Sequence, residues 1–333
     1  MKMFKSSEIK NPALWNHIKN KYGVDGAVVP MLPYAGSIGL ETRKLYFGFT
    51  VTGGKITTGD KLLGYDPTRH AGKQLPVNRI ISYGDCNVAC PYCKRDCQFI
   101  DDQGSILGTA DVSIDDILRL CIAAVDDGET PRFSGGDPVS FKKETTAIVE
   151  YIYSEKGVKS SIAHNGSWGK TIGSIAPMLS SAAIDLKGIP SKLGKIMGIK
   201  VSAGDNMYTQ SLKTQAELIR HGVLVDVRTP VFGDTTTEDM MSLAKDISKN
   251  DPEFTFWTWR TYKPVEGIDW SVPDRDTVIQ QMLDVSKNFP SLWMGMRAKW
   301  QEGGMVYVKN GKIIDLSEGG TTEKSGSGNQ LLN

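Results

Sequence analysis

The chain has 333 residues, of which 40% are hydrophobic and 23% charged, with a formal net charge of +1. A chain of that length and composition can bury a full core. The near-zero charge argues against a strongly electrostatic nucleic-acid binder, and no run approaches the ~20 apolar residues that cross a bilayer.

The N-terminal segment Met1 to Lys10 is positively charged, but no apolar stretch follows it. No secretory signal is read there, and the expected compartment is the cytoplasm. Residues 1–78 are irregular and rich in Gly, Pro and Thr, an N-terminal extension suited to a lid. Leu45 to Val51 reads as a strand, and Gly53-Gly54 makes a turn toward Ile56.

From residue 79 the pattern becomes regular. Strands are expected at Arg79–Tyr83, Pro131–Ser134, Lys159–Ala163, Ala182–Leu186, Val223–Val227 and Phe254–Trp259. Between them, helices are expected from Ser113 to about Asp127, Ser140–Lys156, Thr171–Ser180, Asn206–His221 and Thr237–Lys249. A last helix is expected at Asp276–Asn288. Ser113 is a natural N-cap, with Asp115 and Asp116 suited to the first turn.

Strands alternating with helices imply βα units and a parallel sheet. Six units fall short of the eight of a closed barrel. The expected fold is therefore α/β, a partial (β/α)6 TIM-like barrel over residues 79–290. A C-terminal extension spans 291–316, with a hairpin turning at Asn310-Gly311, and a Gly/Ser-rich tail follows over 317–333.

Four of the five cysteines lie between Cys86 and Cys97. Clustering without an export signal favours a metal site over a disulfide framework. Three thiolates on a short loop, Cys86, Cys90 and Cys93, can hold three corners of an iron–sulfur cubane. The loop follows the first strand, at the strand ends where barrels place their chemistry. Two alternatives stand beside this. One is a closed four-cysteine site using Cys97, in a non-catalytic interaction protein; the other is incidental thiols. Cys121, on the apolar side of its helix, reads as a core residue.

The run Cys86-Asn87-Val88-Ala89-Cys90-Pro91-Tyr92-Cys93 resembles the C-x3-C-x-aromatic-C motif of the radical S-adenosylmethionine superfamily. That resemblance implies a [4Fe–4S] cluster on Cys86, Cys90 and Cys93 with one iron open to S-adenosylmethionine. Reductive cleavage of the sulfonium would then yield a 5′-deoxyadenosyl radical. Gly135-Gly136-Asp137 resembles the family's GGE motif, with Asp in place of the commoner Glu, where backbone groups bind the methionine amine. Asp185-Leu186-Lys187 and Arg228-Thr229-Pro230 resemble the pyruvate formate-lyase activating-enzyme branch. There the Lys and the Arg serve the cofactor's carboxylate. The resemblance covers roughly residues 79–260 and implies Tyr92, Gly135, Gly136, Asp137, Asp185, Lys187 and Arg228 as cofactor-binding residues. It also implies anaerobic chemistry and a one-electron donor of flavodoxin or ferredoxin type. One departure stands out: Ala163-His164 precedes Asn165-Gly166 where the branch has an Asp-Thr pair beside a monovalent cation. His164 is then either a catalytic-site residue or a satisfied loop histidine.

On the substrate side, Trp257 and Trp259 alternate to one face of the last strand, and Arg260 and Lys263 follow it. Trp293, Arg297, Lys299 and Trp300 continue the mixture of aromatics and cations. Such a mixture suits a polar or anionic small molecule such as a nucleotide or sugar derivative, and core tryptophans beside solvated charges are the alternative. Arg260, Lys263 and His164 are the candidate catalytic residues. No cysteine precedes Cys86 or follows Cys121, which argues against auxiliary clusters. A small-molecule enzyme and an activase that installs a glycyl radical on a partner protein both remain. The 85 residues ahead of the cysteine loop favour the first.

Overall fold

The computed structural model describes residues 7–31, 77–93, 110–265, 267–297 and 305–314, with short strand segments between residues 33 and 56. The first helix is α1, Pro12–Tyr22, opened by the Asn11 side chain and by proline in its first turn. Strand β1 (Val28–Met31) follows, then β2 (Pro33–Tyr34), β3 (Ser37–Ile38), β4 (Leu40–Lys44), β5 (Val51–Thr52) and β6 (Lys55–Ile56). The regular part alternates thereafter: β7 Val77–Tyr83, β8 Ala110–Ser113, α2 Ile114–Asp126, β9 Thr130–Gly135, α3 Lys142–Lys156, β10 Ser160–His164 and β11 Leu179–Asp185. Next come α4 Pro190–Met197, α5 Gly204–Arg220, β12 Leu224–Val231, α6 Thr237–Ile247, β13 Thr255–Thr261 and α7 Arg275–Asn288. The chain ends in β14 Trp293–Arg297, β15 Met305–Lys309 and β16 Lys312–Ile313.

One sheet takes up most of these strands, in the order β16-β15-β14-β13-β12-β11-β10-β9-β7-β1-β8, with β4 also paired to β7. The run from β7 through β9, β10, β11, β12 and β13 to β14 is parallel. Parallel strands need long crossovers, and the intervening helices supply them. The fold is thus α/β with a parallel-dominated sheet, as expected from the sequence.

Several elements differ from the expectation, each for a local reason. No α-helix spans Thr171–Ser180; two 3₁₀ turns, Gly169–Ser174 and Ala176–Met178, fill it. Gly173 and Pro177 deny that stretch a continuous ladder. Helix α4 escapes a periodicity reading because it is eight residues long with Gly194 inside. The parallel run holds a seventh strand, β14, five residues without a recognisable flanking pattern. The six-unit count is therefore one strand short. In the N-terminal region, the expected strand at Leu45–Val51 lies mostly outside the described residues, while β4 ends just before it. The expected turn at Gly53-Gly54 lies outside the described residues; the short strands on either side pair antiparallel, Val51 opposite Ile56. The expected C-terminal hairpin is present, with Asn310 and Gly311 both at positive φ, as a primed turn requires. Cys97 and the tail lie outside the described residues.

Register divides the sheet into two unlike faces. Val225, Val227 and Val231 of β12, Trp257 and Trp259 of β13 and Met294 and Met296 of β14 share one face and one buried apolar cluster. Helical side chains such as Ile117, Leu218, Leu243 and Met282 belong to the same cluster. The opposite face carries Ser161, Ala183, Asp185, Asp226, Arg228, Thr258 and Arg260. Trp257 and Trp259 are therefore core residues, both 0% exposed and stacked edge-on at 5.1 Å, and the substrate reading of these two is corrected. Trp257→Ala should lower unfolding free energy by about 3–5 kcal/mol. Urea denaturation of the apo-protein would measure this, and a loss below about 1 kcal/mol would contradict so complete a burial.

Candidate functional site

The cysteine loop, Gly84 to Cys93, leaves the end of β7 and is tied to its surroundings by backbone hydrogen bonds. Gly84 donates to Pro30 in β1, and Ala89 donates to Met197 at the end of α4. Gly136 and Asp137 donate to Tyr83 and Asp85, at 2.5 and 2.6 Å. The close approach explains one glycine: a Cβ at Gly136 would overlap the Asp85 backbone. The N–H groups of Gly136 and Asp137 are thus spent on the loop.

Cys86 and Cys90 are half-buried and Cys93 is exposed. Burial raises the Cys90 thiol, with Lys187 opposing. Among the described residues, no three His, Cys, Asp or Glu side chains are gathered tightly enough to hold a single ion. A tetrahedral zinc would need its thiolates converging on one point at ~2.3 Å, whereas a cubane takes each thiolate at a separate corner. Cys86, Cys90 and Cys93 on one loop are three donors of the kind such a cluster takes.

Asp137 is 2% exposed and staples two strand ends together. Its Oδ1 accepts from Val139 N at 2.8 Å and its Oδ2 from Asn165 N at 2.6 Å. Burial pushes its carboxyl up to about 7, against those two donors. Asp185 and Lys187 form an ion pair at 2.7 Å. Burial penalises both charges, yet each holds the other charged: Asp185 lies below and Lys187 well above its ordinary value. The Lys187 ammonium also stands 5.7 Å over the Tyr92 ring. Arg228 repeats the arrangement one strand over, its Nε 2.7 Å from Asp226, whose other oxygen accepts from Thr258 at 2.6 Å.

Arg260 completes the row, aligned across from Pro230 in β12. Its Nε is sealed from solvent with no hydrogen-bond partner. Burial and then the neighbouring Arg228 lower its pKa to about 10, so it stays cationic at neutral pH. Three cations, Lys187, Arg228 and Arg260, thus share one rim with two carboxylates. Beside Lys187 a cavity of about 340 Å³ opens between α4 and α6, walled by Lys192, Phe232, Met240 and Trp270.

The remaining candidates are not brought into this row. Lys263 is exposed, beyond the strand end. His164 pairs in register with Ile184 on the helix-side face; its Nδ1 accepts from Gly166 N at 3.0 Å, and its ring packs edge-on against Trp168. It ends its strand on the helix-side face, apart from the row, with its Nε2 buried and making no hydrogen bond. Residues the sequence reading left out include Asp226, Asn165 and the aromatics Phe232 and Trp270, which pack on Tyr92, with Tyr262 behind them. A signal for Asp226 existed: an acid two residues before Arg228 on a strand shares its face.

No family model matches the chain. A curated relative, the 7-carboxy-7-deazaguanine synthase of Methanocaldococcus jannaschii, is 24% identical over 181 residues, covering 50% of this chain and 69% of the relative. Among solved structures, Streptococcus suis SuiB aligns with a TM-score of 0.46 at 14% identity, over 64% of this chain and 47% of that one. A radical SAM methyltransferase from Sphaerobacter thermophilus gives 0.43 at 11% identity, over 64% of each chain. The chain spans less than two thirds of either structure. No helix among the described residues is long and apolar enough to cross a membrane.

Burial lowers the pKa of His164 to about 3. Between pH ~6.5 and 3 the unfolded chain takes up a proton that the folded one refuses. Stability should therefore fall across that window on acidification, on the order of a few kcal/mol from this group, and His164→Gln should flatten that part of the curve. Parallel slopes for both proteins in pH-resolved denaturation would contradict the placement.

Proposed function

We infer that this chain is a radical S-adenosylmethionine enzyme acting on an anionic small molecule. What carries the reading is the C-x3-C-x-aromatic-C loop docked at the C-terminal ends of parallel strands, with Lys187 and Arg228 on the rim beside it. When bound, a [4Fe–4S] cluster and S-adenosylmethionine supply reductive cleavage of the sulfonium and a 5′-deoxyadenosyl radical.

The chain's own residues do the rest. Cys86, Cys90 and Cys93 hold the cluster. The carbonyls at Gly135-Gly136 accept hydrogen bonds from the cofactor's amine. Lys187 and Arg228 bind its carboxylate, as in the activating-enzyme-like branch. The paired acids Asp185 and Asp226 hold these cations in place and keep the local charge from accumulating before the ligand arrives. An electron donor of flavodoxin or ferredoxin type approaches on the side of the exposed Cys93. The similarity to 7-carboxy-7-deazaguanine synthase favours a small-molecule substrate, and a heterocyclic or nucleotide-like acid fits the cation row. Arg260, with its sealed and unpartnered Nε, answers to that acid. Positioning the substrate carbon near the cofactor is the main catalytic contribution left to the protein.

Anaerobically reconstituted protein with dithionite should form 5′-deoxyadenosine. Cys86→Ala, Cys90→Ala and Cys93→Ala should each abolish both the cluster and that product, and Cys121→Ala should not. Retention of the cluster in Cys86→Ala would refute the ligand set.

Lys187→Ala and Arg228→Ala should each weaken S-adenosylmethionine binding by one to two decades, from about 1.5–3 kcal/mol per lost charged hydrogen bond, with the iron content unchanged. Arg260→Ala should instead leave cofactor binding alone and lower the ratio of substrate-derived product to 5′-deoxyadenosine. Calorimetry and product ratios separate the two effects. An unchanged ratio in Arg260→Ala would favour a protein substrate docking over the rim.

A further inference from the structure

Asn165 sits where β10 ends, and its contacts reach the cysteine loop rather than the cation row. Its backbone N–H is held by Asp137 Oδ2 at 2.6 Å, and the residue is 4% exposed. Its side-chain Oδ1 accepts from Ser167 N at 3.0 Å. That bond settles which way the amide faces, because only the oxygen can accept from a backbone N–H. The Nδ2 group is therefore presented to the loop. One of its hydrogens goes to Asn87 Oδ1 at 2.6 Å, and Cys86 Sγ lies 4.0 Å from the same nitrogen. Asn87 closes the ring by donating to Ser167 Oγ at 3.0 Å. Gly166, between Asn165 and Ser167, has φ +88°, and a Cβ there would run into Ser211 and the Asp185 carbonyl. The turn that aims the amide is thus fixed by its own backbone.

We propose that Asn165 is an electrostatic tuning residue for the iron–sulfur cluster, donating its second amide hydrogen to the Cys86 thiolate. The proposal rests on the cluster assignment made under Proposed function. Hydrogen bonds to cluster sulfurs are among the levers that set reduction potential. The reduced cluster carries one more negative charge, so a donor at the sulfur favours it and raises the potential. Two other groups of the same ring serve only to aim the amide. Ser167 contributes its backbone N–H to that task and its hydroxyl to Asn87, so losing the hydroxyl leaves the Asn165 amide oriented.

This asymmetry gives a test that loop stability alone would not pass. Cluster midpoint potentials of wild type, Asn165→Asp, Asn165→Leu and Ser167→Ala would be measured by dye-mediated titration followed by electron paramagnetic resonance. Asn165→Asp should lower the one-electron reduction equilibrium constant about tenfold, about 59 mV to the negative. Asn165→Leu, which keeps the size and removes the donor, should shift it in the same direction and serves if the charged variant fails to take up iron. Ser167→Ala should leave the potential where it is. An unchanged potential in the Asn165 variants overturns the proposal, and so does an equal shift in Ser167→Ala, which would trace the effect to a loosened loop. A wild-type protein that assembles no [4Fe–4S] cluster would instead overturn the underlying assignment, an outcome readable from its absorption and iron content before any variant is made.

Discussion

In β12 the side chains of Asp226 and Arg228 leave the strand on the side away from the helices, while Val225, Val227 and Val231 point into the helical core. The same alternation, kept in register across β11, β12 and β13, sets Asp185 beside Arg228 and Arg228 beside Thr258. A slip of one residue in any of these pairings would send a charge into the apolar layer and a valine to the rim. The cost of burying an unpaired charge locks that register. The rest of the site is built on it.

Electrostatics at the rim follow from this crowding. Each of two cations has an acid two residues before it in the chain: Asp185, which ends β11, with Lys187, and Asp226 with Arg228 within β12. Such pairs answer their desolvation locally. Arg260 has no acid of its own, and the Arg228 charge beside it adds to the burial that lowers its pKa to about 10. Arg260 Nε is buried without a partner, whereas Lys187 and Arg228 each hold a carboxylate.

The cysteine loop is positioned by contacts from four directions: β1, the β9 end, the β10 end and α4. None of these elements is its neighbour in sequence except through β7. A loop of this length fixed by so many distant partners arrives at the strand ends with its thiols already apportioned, two half-buried and one exposed. Two strands of the N-terminal region belong to this framework too, since β1 and β4 pair with β7 in the same sheet.

Much of this was legible in the sequence because the signals are local. The cysteine spacing, the Ser113 cap, the long amphipathic helices and the apolar run of β12 each depend on residues within a few positions of one another. The acid–base pairs at 185/187 and 226/228 are equally local: Asp185, Lys187 and Arg228 belong to the motifs read from the sequence, and Asp226 alone does not. What the sequence left open depended on long-range contact. Whether Trp257 and Trp259 faced a substrate or the core turned on which face the helices covered, a choice that alternation alone leaves undecided. Which face His164 takes was likewise open until register paired it with Ile184 on the helix side. The seventh parallel strand formed because β13 offered a free edge to five residues with little propensity signal of their own. Asn165 acquired its meaning only when β10 ended against the cysteine loop, about 80 positions away in the chain. Local chemistry is written in neighbouring residues, whereas facing, register and approach are decided by the packing of segments far apart in sequence.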